Sequence, residues 1–222
     1  GVPVRVDNDA NAGALAELWW GEPSPGSIVF VKVATGIGAG LILDGHIHRG
    51  HHGVAGELGH LSIDPNGPPC VCGANGCLNV VIGSPALLAR AAARRTHFPD
   101  SVLPSGELTV ADLVEAAKRS DPLAREIVAF AGERLGEGLG NLLNILDPAT
   151  IIIGGLLADA GEHLLEPVRH TIRRRTALTP VSRARVVQSK MIQPGIAIGA
   201  ATMILEAALK TNEIPLLADS AS

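Results

Sequence analysis

Three cysteines and a histidine are gathered in one stretch of this sequence, residues 56–79. The cysteines are Cys70, Cys72 and Cys77, the only three in the chain, and His60 lies upstream of them. Three thiolates and one imidazole make the closed set of four ligands that a structural zinc ion takes in proteins. The stretch is therefore predicted to fold around Zn²⁺, which constrains the fold more than any other feature of the sequence.

Two other interpretations of the cysteines remain open. Free cysteines are often simply buried as small apolar side chains. A disulfide would leave one thiol of the three unpaired, and Cys70 and Cys72 are too close in sequence to be bridged without strain. The clustering of all three favours the metal. Gly73 and Gly76 also permit the positive φ angles that a tight turn around an ion needs.

The letters around these ligands, GELGH followed by CVCGANGCL, resemble the signature of the ROK family (repressor, open reading frame, kinase). This family joins sugar kinases to sugar-responsive transcription regulators. The resemblance implies an α/β protein with an actin-like, hexokinase-like (ribonuclease H-like) fold and a structural zinc knuckle over residues 56–79. It implies that His60, Cys70, Cys72 and Cys77 bind the metal. It also implies that Glu57 and the second ring nitrogen of His60 bind a sugar.

A second motif, NDANA, begins at Asn8. Short polar side chains at a strand-to-helix turn often serve only as helix caps. The resemblance implies more: Asn8 and Asp9 bind sugar hydroxyls, and Asp9 is the general base if the protein is a kinase. Asn79 departs from the family pattern, since sugar-phosphorylating relatives usually have a glutamate there. An asparagine keeps the length and loses the charge, but its amide still bonds a hydroxyl.

Two glycine-containing turns are candidates for nucleotide contact. Thr35, Gly36 and Gly38 lie between two predicted strands and resemble the second phosphate loop of actin-like kinases. Gly154 and Gly155 follow an apolar strand and resemble the adenosine-side motif. Both turns also have a purely structural explanation, because tight turns need glycine whether or not a ligand binds. ATP and Mg²⁺ are expected only if the protein is a kinase.

Composition narrows the class of protein. Only three Phe and two Trp are present, so aliphatic residues must fill the core, as in a protein with a central α/β sheet. The net charge of −4 argues against a nucleic-acid surface on this chain. No apolar run is long enough to span a membrane, and no leader opens the sequence. We expect a cytoplasmic protein without a membrane partner.

Hydrophobic periodicity, together with capping residues, glycines and prolines, predicts the main strands and helices. Strands are expected over residues 2–6, 27–33, 41–43, 150–153 and 183–188. Helices are expected from the NDANA turn to about residue 21, from residues 84 and 109, and over residues 121–146, 162–175 and 197–209. Gly132, Gly136 and Gly140 form a stripe along one of these helices and are predicted to pack against a neighbouring element.

These features lead to one preferred function and one alternative. Residues 1–210 are expected to form the large lobe of a ROK sugar-binding domain, with a tail over 211–222. The first phosphate loop, Asp-x-Gly-Gly-Thr, is not in this sequence, so the N-terminal lobe is expected to lie outside it. The preferred function is the sugar-sensing domain of a transcription regulator that contacts DNA through an upstream domain; Asn79 and the letters LWWG favour it. The alternative is an ATP-dependent sugar kinase. A homo-oligomer is expected, through the glycine-striped helix or its neighbours.

Overall fold

A five-stranded mixed sheet forms the centre of the protein, as seen in a computed structural model that describes residues 4–22, 24, 26–176, 184–191 and 195–211. The strands lie in the order β3-β2-β1-β4-β5. Strand β1 pairs with β2 in antiparallel and with β4 in parallel orientation, and β4 pairs in parallel with β5. The strands are β1 Ile28–Val33, β2 Ile37–Leu43, β3 His46–Ile47, β4 Thr150–Gly154 and β5 Arg185–Gln188.

Seven α-helices accompany the sheet in the described part of the chain. They are α1 Asp9–Trp20, α2 Leu78–Ile82, α3 Ser84–Arg94, α4 Val110–Lys118, α5 Pro122–Leu146, α6 Glu162–Arg175 and α7 Gly195–Thr211. Short 3-10 turns cover Leu58–His60, Arg95–His97 and Leu156–Ala160. Among the described residues, no helix combines the length and the apolar character needed to cross a bilayer.

The alternating side chains of β1 separate two apolar cores. Val29, Val31 and Val33 belong to the larger core, which includes residues of α3 to α6. Ile28 and Phe30 point to the other face and pack with Ala14 of α1. Period-2 alternation in a strand covered on both faces produces this division. Helix α7 lies against α1, where the Trp20 Nε1–H donates to Thr202 Oγ1 at 2.8 Å.

Capping residues fix the helix starts that the sequence predicts. Asn8 caps α1, accepting from the Ala10 N–H, and Asp121 caps α5. Thr109 and Asp112 form a reciprocal capping box at the start of α4. These side chains satisfy backbone N–H groups that have no partner inside the helix.

The glycine stripe of α5 packs against α6, as predicted. A Cβ on Gly132 would lie 2.5 Å from the Leu164 carbonyl oxygen, and one on Gly136 would lie 2.8 Å from Thr171 Cβ. Because α6 covers the stripe, an oligomer contact of α5 would have to use another face of that helix. The homo-oligomer, through the glycine-striped helix or its neighbours, stays a prediction.

Two predicted strands differ from the structure. Residues 4–6 form no strand, so the predicted first strand is wrong over its described part. Strand β2 begins at Ile37 rather than residue 41 and contains Gly38 and Gly40. A Cβ on Gly40 would lie 2.3 Å from the Ala10 carbonyl oxygen, so glycine here lets α1 approach the sheet. The predicted tail lies outside the described residues, apart from Thr211 at the end of α7.

Candidate functional site

The cysteine-rich stretch folds into a compact knuckle held by backbone hydrogen bonds. Isolated bridges pair Ser62 with Cys77 and Pro69 with Asn75. The Cys70 N–H donates to Ala74 O at 2.8 Å, which closes the turn between the first and last cysteines. Gly76 has a φ of +59°, and a Cβ there would lie 1.8 Å from the Asp64 carbonyl oxygen. The sequence thus brings its ligands together locally, through two glycine-dependent turns.

The four predicted metal ligands converge on one point. Cys70 Sγ lies 3.4 Å from His60 Nδ1, and Cys72 Sγ lies 3.5 Å from Cys77 Sγ. All four ligand atoms lie within 4.8 Å of one another. Zinc–sulfur and zinc–nitrogen bonds of the usual lengths place tetrahedral ligand atoms roughly 3.6–3.8 Å apart. The donor set therefore fits Zn²⁺ in both chemistry and spacing.

The electrostatics of the thiols also favour a cation. Burial, followed by hydrogen bonding with the neighbouring thiols, raises the pKa of Cys77 to about 12. A backbone hydrogen bond at Ala74, followed by contacts with the other thiols, lowers the pKa of Cys72 to about 7. Adjacent thiolates repel one another, so three cannot all be charged here without a compensating positive charge. A divalent ion bound by the four residues would supply that charge.

Glu57 and His60 lie where the knuckle meets the sheet. They line an open groove of about 410 Å³ between β2 and α5, which we call the β2–α5 groove. The other lining residues are mainly apolar: Leu41, Gly56, Leu58, Leu61, Asn141, Leu142, Ile145 and Leu146. The Glu57 side chain is exposed and has no hydrogen-bond partner among the described residues. With Nδ1 of His60 facing the thiols, its Nε2 is left for another partner.

Asn8 and Asn79 approach the same turn, the one that joins β1 and β2. Asn79 Oδ1 accepts from the Ile37 N–H at 2.7 Å, and Asn8 Oδ1 lies 4.0 Å from the position of a Cβ on Gly38. Gly59 packs against Ile37 and against the Asn79 amide. The turn thus gathers the N-terminus of α1, the start of α2 and the 3-10 turn that carries His60. Asn8 and Asp9 do not line the β2–α5 groove.

Asp9 is engaged by a residue that the sequence analysis missed. The Asp9 carboxylate forms an ion pair with the ammonium group of Lys32, on β1. The signal was present in the sequence, because Lys32 is the one charged residue in the otherwise apolar strand IVFVKV. A charge inside a buried strand generally needs a partner.

The neighbouring carboxylate, Asp7, is held by a separate set of contacts. Arg49 donates to Asp7 Oδ2 from Nε at 2.8 Å and from its terminal nitrogen at 2.6 Å. The Asn11 amide donates to Asp7 Oδ1 at 2.7 Å. Burial opposes the ionisation of Asp7, but these hydrogen bonds outweigh it and hold its pKa below the ordinary value. Asp7, the residue before the NDANA motif, is therefore fixed independently of Asp9.

The candidate nucleotide residues have mixed surroundings. The backbone N–H groups of Thr35 and Gly36 have no hydrogen-bond partner among the described residues. Free N–H groups of this kind attract phosphate oxygens. Gly38, in contrast, lies inside β2 beside Ala10, and a Cβ on Gly154 would lie 2.8 Å from the Phe30 ring. Gly155 has a φ of +89°. Packing accounts for these last three glycines, and their nucleotide role stays a prediction.

We expect Asn79→Ala to destabilise the protein by about 1–3 kcal/mol, because the buried Ile37 N–H would lose its acceptor. Urea unfolding measures this change. The matched control is Asn66→Ala, since Asn66 is exposed and its side chain makes no hydrogen bond within the described residues. Equal stabilities of the two variants would show that the Asn79–Ile37 bond contributes nothing.

Known proteins match this chain over almost all of its length. The model of the ROK family matches residues 1–207. The xylose repressor of Caldicellulosiruptor bescii is 33% identical over 220 residues, which is 96% of this chain and 54% of the repressor. A glucokinase of Halalkalibacterium halodurans is 38% identical over 175 residues, covering 76% of this chain and 53% of the kinase. The chain spans about half the length of these curated relatives.

Solved structures give the same picture. A ROK glucokinase from Streptomyces griseus, in complex with glucose and AMPPNP, superimposes with a TM-score of 0.82 at 31% identity, covering 91% of this chain and 68% of that one. A ROK transcriptional regulator homologous to the E. coli Mlc protein gives 0.81 at 35% identity, covering 90% and 51%. These neighbours confirm the predicted actin-like, hexokinase-like fold.

Proposed function

This chain belongs to the ROK family, and from that premise we propose that it is the sugar-sensing part of a transcription regulator. The relatives include both repressors and glucokinases, so membership alone supports either function. The observation that favours the regulator is at Asn79, the position where sugar-phosphorylating relatives usually have a glutamate. Its oxygen accepts from the Ile37 N–H, so the side chain supports the β1–β2 turn and carries no charge to a sugar.

Zinc in the knuckle would have a structural and a positioning role. His60 and the three cysteines would hold the ion, which supplies a fixed charge that keeps the thiolates together. Coordination through Nδ1 orients the imidazole, so that its Nε2 faces outward to meet a sugar hydroxyl. The exposed carboxylate of Glu57 is free to accept hydrogen bonds from two hydroxyls.

Sugar binding would connect the knuckle to the start of α1. Asn8 uses its side-chain oxygen to cap α1, which leaves its amide nitrogen as a donor to a hydroxyl. A sugar that reached Asn8, Asp9, Glu57 and His60 together would tie two separate elements to each other. Binding would then favour whichever arrangement of the whole protein allows all of these contacts. An upstream DNA-binding domain would report that change, and the homo-oligomer remains part of this proposal.

The second candidate function is an ATP-dependent sugar kinase. The free N–H groups of Thr35 and Gly36 favour it, because they could bind the phosphates of MgATP. Asp9, at the first turn of α1, would be the base that accepts the hydroxyl proton. Kinase and regulator share the sugar contacts, so sugar binding alone does not separate them.

We expect the full-length protein to bind glucose or xylose, the sugars named in its relatives, and Glu57→Gln to weaken binding by about tenfold or more. Isothermal titration calorimetry measures both affinities. The control is Glu133→Gln on the exposed side of α5, since Glu133 makes no ion pair among the described residues. Unchanged affinity in Glu57→Gln would remove Glu57 from the site. Phosphorylation of the sugar by MgATP, lost in Asp9→Asn, would decide for the kinase.

A further inference from the structure

Lys32 occupies an unusual position in the sheet. Its partner on β2 is Gly38 and its partner on β4 is Gly154. Directly paired residues on neighbouring strands point to the same face of a sheet. Lys32 therefore carries the one side chain in this row of three, on the face covered by α1.

Two carboxylates of α1 lie within range of this face, and Lys32 contacts one of them. Asp9 and Glu17 are two turns apart on the helix, with Gly13 between them. Glu17 is buried and bonds with Ser189, and it lines the same small cavity as Lys32. The ammonium group nevertheless bonds to Asp9 Oδ2. The Lys32 side chain is 21% exposed and that of Asp9 is 47% exposed, so a ligand can reach the ion pair from solvent.

We propose that Lys32 is a positioning residue for Asp9: by holding Oδ2, it leaves Oδ1 to accept a hydrogen bond from a sugar hydroxyl. This inference rests on the proposed sugar-sensing function. A carboxylate has two oxygens, and a charge-assisted bond to one of them fixes the direction of the other.

Other charged groups do not compete for this role. Arg49, in the segment that follows β3, is bound to Asp7 through two hydrogen bonds. Asn11 is likewise bonded to Asp7. Within the described residues, the Asp9 carboxylate has no partner other than Lys32. The orientation of Asp9 thus depends on one side chain, which makes the inference testable by substitution.

The test is a double-mutant cycle in the full-length protein with Lys32→Met, Asp9→Asn and the double variant. Affinity for glucose and xylose is measured by calorimetry. We expect Lys32→Met to weaken binding about fivefold in the native background and less than about twofold in the Asp9→Asn background, because coupled residues are not additive. Lys118→Met is the control: it removes a lysine paired with Glu115 on α4 and should leave the affinity unchanged.

Equal effects of Lys32→Met in the two backgrounds would overturn the inference. The proposed sugar-sensing function would still stand if the native protein bound the sugar. The same cycle of melting temperatures, without ligand, tests the ion pair if no sugar binds: a smaller loss in the Asp9→Asn background supports it, and equal losses overturn it. Asp9-dependent phosphorylation by the native protein would overturn the regulator, and the double-mutant cycle in sugar affinity would still decide whether Lys32 positions Asp9.

Discussion

Cys72→Ser is expected to lose the bound metal, to melt at least about 10 °C below the native protein and to bind sugar at least about tenfold more weakly. Cys72 is the exposed ligand of the knuckle. An exposed cysteine without a metal would tolerate serine with a change of about 0.5 kcal/mol or less. Substituting the fully buried Cys77 would destabilise the protein whether or not it binds zinc. Cys72 is therefore the position at which the metal decides the outcome.

The expected size follows from what the ion does. Structural zinc contributes roughly 10 kcal/mol or more to the folding of small zinc domains. The large core between the sheet and α3 to α6 is expected to survive its loss, so only part of that energy is at stake. Loss of sugar affinity follows because His60 is both a predicted ligand of the metal and, through its Nε2, a proposed contact of the sugar.

Metal content by elemental analysis, calorimetric melting and sugar titration measure the three effects. His52→Ala is the control, since His52 is an exposed histidine outside the ligand set. Treatment with a strong chelator should reproduce the Cys72→Ser result in the native protein. A purified native protein with far less than one zinc per chain, and a Cys72→Ser variant that melts normally, would end the zinc proposal.

Gly56→Ala is expected to cost about 3–5 kcal/mol of stability and to displace the segment that carries Glu57 and His60. Gly56 has a φ of +93°, and its carbonyl oxygen accepts from the Ala39 N–H at 2.8 Å. A Cβ at this position would lie 1.9 Å from the Ala39 carbonyl oxygen. The Ala39 carbonyl and the Gly56 backbone cannot move apart without breaking the contact between this segment and β2.

Gly53→Ala separates the two causes of this loss. Gly53 also has a positive φ, +76°, but a Cβ there would have nothing within 4 Å. Gly53→Ala should therefore lower the free energy of unfolding only by the strain of a positive φ at alanine, about 1–2 kcal/mol. Urea unfolding of both variants, with sugar titration of each, measures the difference. Similar losses in stability for Gly53→Ala and Gly56→Ala would contradict the close packing of Gly56 on β2.

Local signals in the sequence predicted much of the fold. The limits of α6 match the predicted residues 162–175, and α5 begins at the Asp121 cap as expected. Apolar alternation and capping residues act between positions close in sequence. Their effect on local structure therefore does not depend on how the rest of the chain folds. The predicted first strand is wrong over its described residues 4–6, because apolar alternation alone supplies no partner strand and these residues have none.

The sequence by itself determined the metal-ligand set, since His60 and the three cysteines are brought together by turns within a single short segment. Only the tertiary structure revealed the partners of Asp9 and of Asp7, the residue before the NDANA motif. Lys32 lies 23 positions from Asp9, and Arg49 lies 42 positions from Asp7. Those pairs depend on the register of β1 with β2 and on the packing of α1 over Gly40. Strand register and helix packing are set by the whole core. Contacts that depend on them therefore cannot be predicted from residues close together in the sequence.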